Sequence, residues 1–416
     1  MIGGNQVNKI YTGIDIGTND IKVIVACIEN DKFHVLASVS ESSSGIKKGL
    51  IVDAKKATIS IKKAMKKASD MVGVKLTKVV TCVPTHHCNM DIVVGRVDIS
   101  SDVVTGEDVT NVLKDAIIGR VKSNEELITS IPIHFTIDDK EDVKDPKGMS
   151  ASTLDTKVVI TTMDKELLYQ YLEVLKLSGL DTIDIAFSLT GDYYAARNDD
   201  LDKSVGVILN IGEETTNIAV FNKGIMIKSD TLDLGSKLVD NDISYIYKTS
   251  SKDSRYLKEN FAVASSTYAD RNDVEEITTK SGEKKRINQM ALSKVVGARA
   301  EEILKLSKKR LNNLTNREIR YIIVTGGLSE LAGFQYLVED IFGSSSKVCN
   351  IKTLGVRHNK YSSVLGILMY LDDKLRLRGK EISMFDDNDI EQMVTVKKRE
   401  SNETIVSKVF GHFFDS

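Results

Sequence analysis

The chain has 416 residues, 41% hydrophobic and 28% charged, which supplies enough apolar side chain for several buried cores. Its 57 basic and 59 acidic residues nearly cancel, to a formal charge of -2, and this balance excludes a generally basic nucleic-acid binder. Four cysteines, three prolines and the lack of any apolar run of about 18 residues exclude a disulfide scaffold, a proline-rich module and a membrane-spanning helix. Met1 to Tyr11 has no apolar core of the signal-peptide kind, so a cytoplasmic chain with reduced thiols is expected.

In chain order, Lys9 to Asp15, Ile21 to Ala26 and Phe33 to Val39 are rich in Ile and Val and separated by short turns, which predicts three strands. An amphipathic helix follows from Ala54 to Met71, with Ile59, Ala64, Met65 and Ala68 at helical spacing, and Lys78 to Val83 reads as a buried strand. From 86 to 162 the pattern is that of an inserted subdomain: strands at Ile92 to Ile99, Leu127 to Ile137 and Val158 to Thr162, and a helix at Glu107 to Ile118. The charged stretch Asp138 to Ser150 reads as loop. A helix (Lys165 to Ser178), a strand (Asp181 to Ala186) and a helix (Leu189 to Arg197) then return to the first unit.

At Val205 the opening pattern starts again. Val207-Ile208-Leu209-Asn210-Ile211-Gly212 mirrors Tyr11-Thr12-Gly13-Ile14-Asp15-Ile16-Gly17, and Ile218 to Phe221 and Gly224 to Lys228 mirror the strands after it. This repeat predicts a duplicated α/β domain with two lobes, 1-85 with 163-204 and 205-240 with 313-378. Residues 241-312 read as a charged, largely helical cap, with Asp270 to Lys285 as an exposed loop. Ile319 to Thr325 is a strand running into Gly326-Gly327, and Gly333 to Phe342 a helix. The polar stretch 379-402 reads as a flexible linker, and 403-416 as an amphipathic helix.

Two strand–turn–strand units with backbone N–H groups at their apices can cradle phosphates from either side, and Asp15 can orient a magnesium-bound water beside them. Gly326-Gly327 at a third strand end would let an adenine ring approach the backbone closely. Cys82, His86, His87 and Cys88 lack the second distant pair that structural zinc needs, and no nucleophile elbow or Ser/His/Asp order points to covalent catalysis. A positioned base and a second substrate pocket, which a kinase would need, are likewise without a motif.

The order of Asp15-Ile16-Gly17-Thr18, Asn210-Ile211-Gly212 and Val324-Thr325-Gly326-Gly327 resembles the actin-like ATPase superfamily. Within it, Gly45-Ile46-Lys47-Lys48-Gly49-Leu50-Ile51-Val52-Asp53 is similar to a signature of the FtsA family of bacterial cell-division proteins. The position of the insert, after Lys78 to Val83 rather than between the third strand and the first helix, agrees with that family. The resemblance implies an actin-like (ribonuclease H-type) fold that binds ATP and Mg2+. Its site would comprise Asp15, Gly17, Thr18, Asn19 and Lys22, then Asn210, Gly212, Thr215 and Thr216, and Gly326 with Gly327, with Asp15 holding magnesium through water. Asn210 stands where the superfamily's second loop has Asp, and Glu213 and Glu214 bring negative charge next to the phosphates. Slow hydrolysis at best is therefore expected, with the two acids either turned to solvent or paired with Lys22.

The resemblance further implies filaments of this chain, recruitment of other division proteins, and a place on the cytoplasmic face of the membrane at the division septum. It assigns 241-312 the capture of the C-terminal peptide of the tubulin-like protein FtsZ, for which Arg299, Lys305 and Lys308 on a basic helix are candidates. Ile405, Val406, Val409, Phe410, Phe413 and Phe414 fill one half of a helix, as a membrane-surface anchor requires. The alternatives on the same fold are a pilus-assembly actin homologue and a small-metabolite kinase.

Overall fold

The computed structural model describes residues 9–29, 32–86, 88–138 and 140–400. Ile- and Val-rich runs form β1 (Lys9–Ile16), β2 (Asp20–Glu29) and β3 (Lys32–Ser42), joined by antiparallel pairing. A small hairpin, β4 (Ile46–Lys47) and β5 (Leu50–Ile51), leads to α1 (Ala54–Val72). Asp53 caps α1 by accepting from the Lys56 N–H, Gly73 ends it at φ 82°, and Ile61, Ala64, Met65 and Ala68 face the core. β6 (Lys78–Val83) lies parallel to β1.

The insert is a second layer of its own. β7 (Cys88–Asp98), α2 (Gly106–Ile117), β8 (Glu125–Ile137), β9 (Lys140–Val143) and β10 (Thr153–Asp164) build a four-stranded sheet in the order β7-β10-β8-β9. A capping box between Thr105 and Asp108 starts α2, whose Val109, Val112, Leu113 and Ala116 pack on Val93, Phe135, Leu154 and Val158. Part of the charged stretch Asp138 to Ser150, expected as loop, is strand β9, since Val143 pairs with Phe135 and buries. The chain then returns through α3 (Lys165–Leu177), β11 (Asp181–Phe187) and α4 (Ser188–Ala196).

The second lobe repeats the first strand for strand. β12 (Val205–Ile211), β13 (Thr216–Asn222) and β14 (Ile225–Leu232) are antiparallel, as β1 to β3 are. After α5 (Lys237–Tyr247), α6 (Ser251–Asn260), the hairpin β15 (Val274–Thr278) and β16 (Lys284–Asn288), and α7 (Gln289–Leu314), β17 (Tyr321–Thr325) lies parallel to β12. α8 (Phe334–Phe342) and β18 (Ser346–Val348) complete a sheet β14-β13-β12-β17-β18, matching β3-β2-β1-β6-β11 of the first lobe. α9 (Ser362–Leu377) then crosses back to the first lobe and packs along α4.

Two further stretches differ from expectation. Asp270 to Lys285 contains most of the β15–β16 hairpin, because Ile277 and Ile287 bury against the α7 side while Glu276 faces Arg286 and pairs with Lys284 at 2.9 Å. The many charges masked a period of two. Nor is 379-402 a linker across its described part. The Met384 N–H donates to the Ile10 carbonyl at 3.0 Å, and Met384, Phe385 and Met393 join the first lobe's core. β6 pairs with β1 only from Gly13 to Asp15, so the start of β1 leaves an edge that this segment covers before α10 (Asp387–Glu400).

Candidate functional site

Each lobe presents one hairpin apex to the cleft. In the first, the Gly17 N–H closes on the Asp20 carbonyl at 3.1 Å, and a Cβ on Gly17 would lie 2.8 Å from that oxygen. Antiparallel register sets Asp15 opposite Lys22, whose Nζ reaches the carboxylate at 2.9 Å. Burial alone would lower the Lys22 ammonium, but Asp15 outweighs it and the group sits above its ordinary value. In the second, the Gly212 N–H closes on the Thr215 carbonyl at 2.9 Å, and the buried Thr216 hydroxyl donates to the Leu234 carbonyl. The N–H groups of Thr18, Asn19, Glu213, Glu214 and Thr215 find no acceptor among the described residues. These are donors that an anion such as a phosphate would satisfy. Gly326 sits at φ 90° with Ile211 O 2.5 Å from where a Cβ would be, while the same position on Gly327 opens on empty space. Thus Asp15, Gly17, Thr18, Asn19, Lys22, Asn210, Gly212, Thr215, Thr216, Gly326 and Gly327 stand on strand ends and turns of the two lobes' sheets, and Arg255 and the Lys48–Gly49 tip touch both hairpin turns.

The two acids of the second loop do not behave as expected. Neither pairs with Lys22, which Asp15 already holds, and neither is turned freely to solvent. Glu213 takes the Arg255 guanidinium and the Ser236 hydroxyl; Glu214 takes Lys237 and the backbone N–H of Lys48. Asn210 likewise turns inward: its Nδ2 donates to Asp192 at 2.6 Å. Asp192, on α4, also accepts from the hydroxyls of Ser362 and Ser363 on α9. Among the described residues no three His, Cys, Asp or Glu side chains converge on a metal-sized site.

Comparison with known proteins now decides the family. The model of "Cell division protein FtsA" matches residues 207–366, and that of the "SHS2 domain inserted in FTSA" matches 85–162. The chain is 28% identical to the cell division protein FtsA of Bacillus subtilis over 380 residues, 90% of this chain and 86% of that one. It is 24% identical to that of Escherichia coli over 404 residues, 93% and 94% of the two chains. The chain belongs to the FtsA family. Among solved structures, the PilM–PilN type IV pilus biogenesis complex aligns at a TM-score of 0.58 and 14% identity, over 86% of this chain and 98% of that one. MreB5 of Spiroplasma citri bound to ADP aligns at 0.53 and 13%, over 88% and 97%. The fold of this FtsA-family chain is therefore actin-like.

Burial pushes the Asp192 carboxyl up to about 6, against the pull of Ser362, Asn210 and Ser363. An unfolded Asp titrates near 3.8, so between roughly pH 4 and 6 the folded state binds more protons. Stability therefore falls as pH rises through that window and stays lower above it, by about 3 kcal/mol. Asp192→Asn is expected to flatten this fall. Urea unfolding at pH 4.5 and 7.5 checks it, and an undiminished slope in the variant would remove the assignment.

On α7 of this FtsA-family chain the basic residues are largely spoken for. Arg299 grips Asp242 with two nitrogens (2.6 and 3.1 Å) and also Glu302; Lys305 pairs with Glu301; Lys308 donates to the Ile341 carbonyl. Lys305 and Lys308 nevertheless line a cavity of about 690 Å³ with Lys294, Gly297, Glu301 and Asp340, whereas Arg299 lies outside it. Ile405, Val406, Val409, Phe410, Phe413 and Phe414 fall outside the described residues, and no described helix is long and apolar enough to cross a membrane. Sequence reasoning missed Asp192, Arg255 and the cleft role of Lys48. Only Asp192 left a trace, as a lone acid inside the buried run Leu189 to Tyr193.

Proposed function

We propose that this chain tethers filaments of the tubulin-like protein FtsZ to the cytoplasmic face of the membrane at the division septum, and helps recruit other division proteins. The observation that supports this reading most is the duplicated actin-like sheet pair carrying an FtsA-type insert directly after β6. The same fold underlies self-association, and MamK, a structural neighbour, forms a double helical filament. In this reading ATP lies between the two hairpin apices and Gly326-Gly327, with Mg2+ held through water on Asp15. Turnover is slow, because Asn210 lacks the charge that would steady a loose phosphoryl-transfer transition state. The cavity beside α7 receives the acidic C-terminal peptide of FtsZ through Lys294, Lys305 and Lys308, with Arg299 outside it. The family match does not favour the pilus-assembly and metabolite-kinase alternatives.

Residues 403–416 are the membrane anchor of the proposal. One copy holds weakly, since Gly411 loosens the helix and few cations lie within it, although Lys397, Lys398 and Arg399 precede it; a filament multiplies the tethers. Because 380–393 belongs to the folded first lobe, the informative truncation is after Glu400 rather than at Gly379. The test is co-sedimentation with anionic liposomes and FtsZ filaments. Full-length protein is expected to carry FtsZ to the vesicles, while the truncated chain and the Phe410→Glu, Phe413→Glu double variant leave it behind. If those two forms recruit FtsZ as well as the intact chain, the tethering proposal is wrong.

A further inference from the structure

The two acids of the second loop, Glu213 and Glu214, each belong to a contact that reaches the first lobe. Arg255 projects from α6 between the hairpin apices: one terminal nitrogen donates to Asn19 Oδ1 of the first loop, the other to Glu213 of the second. Its Nε lies 3.7 Å from Asp240, whose other partner is the buried Lys258 one turn along α6, so the guanidinium is held in place from behind. A second contact runs in parallel. The tip of the β4–β5 hairpin puts Lys48 at φ 49°, and from there its N–H donates to Glu214 at 2.9 Å while its Nζ reaches Asp233 at 2.7 Å. The neighbouring Gly49 N–H donates to Thr18 in the first loop, also at 2.9 Å. The hairpin tip thus joins both phosphate loops.

We propose that Glu213 is a built-in stand-in for a terminal phosphate: its carboxylate, through Arg255, ties the second loop to the first and, with the Lys48–Glu214 contact, latches the cleft shut without nucleotide. The inference rests on the reading of this cleft as a nucleotide site. A terminal phosphate is an anion that draws donors from both lobes onto itself, and closure follows from that attraction. Here the chain carries the anion itself. An incoming triphosphate competes with Glu213 for the Arg255 guanidinium and meets the carboxylate's charge in a partly desolvated space. An adenosine without phosphates meets neither obstacle. The latch therefore disfavours ligands in proportion to their phosphate charge and separates closure, and whatever depends on closure, from nucleotide supply.

The test uses the full chain and the variants Glu213→Ala and Arg255→Gln, read by amide hydrogen exchange at residues 17–20, 45–50 and 212–216 and by titration with ATP and adenosine. In the unliganded protein the bonded amides of these segments, Gly17, Lys48, Gly49 and Gly212, are expected to be protected, and either variant to speed their exchange by about fivefold or more, with global stability checked by urea unfolding. Glu213→Ala is expected to bind ATP about tenfold more tightly than the native chain, and adenosine within about twofold of it. Unchanged exchange in both variants overturns the latch. So does an equal gain for ATP and adenosine. If neither native nor variant chain binds ATP at millimolar concentration, the nucleotide reading fails separately, and the exchange data alone then decide whether the latch exists.

Discussion

Gly366→Ala is expected to destabilise the protein by about 3 kcal/mol or more, although alanine is the better helix former by about 1 kcal/mol. α4 and α9 are the two helices that pass between the lobes, and they cross at Gly191 and Gly366. A Cβ on Gly366 would lie 1.7 Å from the Gly191 carbonyl oxygen and 2.9 Å from the Ala195 nitrogen. Backbone atoms on the opposing helix cannot rotate away as a side chain can, so the helices must separate. Separation also pulls Ser362 and Ser363 off the buried Asp192 carboxyl, leaving it with Asn210 as its remaining side-chain donor. Urea unfolding measures the effect. A variant as stable as the native chain would show that the crossing has slack the packing does not suggest.

The second large effect is predicted at Lys258. Its side chain is 5% exposed, that of Asp240 is 7% exposed, and the two meet at 2.9 Å. Two charges taken out of water cost several kcal/mol each, and here each is the other's compensation, with Arg255 only at 3.7 Å from Asp240. Lys258→Met leaves a buried carboxylate nearly alone and is expected to cost about 3–5 kcal/mol. Adding Asp240→Leu removes the orphaned charge and is expected to restore most of that loss, because an apolar pair of similar volume fills the site without desolvation. The double-mutant cycle read by chemical unfolding decides it. Additive losses would mean the two charges do not depend on one another.

Lys258 also marks where sequence reading stops. It stands in Ser251–Asn260, a segment dense with charge, where a solvated lysine is the ordinary outcome. Only the packing of α6 against α5 brings it to Asp240. The candidate cleft divides in the same way. The turns at Gly17 and Gly212 are legible from local residues, since a glycine after a β-branched run with a polar residue beyond it can only punctuate a strand. The partners of Glu213 and Glu214 are not: Arg255 is on α6, some forty residues on, and Lys48 is on the other lobe.

What the sequence determined by itself is the pair of hairpin apices, the helix that begins at Ala54, and the repetition of one strand pattern at Val205, all of which rest on interactions within a few residues of one another. Hydrophobic period, capping residues and turn glycines act locally, so they can be read in order along the chain. The tertiary structure alone decided that 380–393 covers the open edge of β1, that Asp192 is shared by α4, β12 and α9, and that the acids of the second loop meet Arg255 and Lys48. Each of these joins residues far apart in sequence through burial or charge compensation. A carboxylate's partner is chosen by what the fold has already removed from water around it, and that is a property of the packed chain.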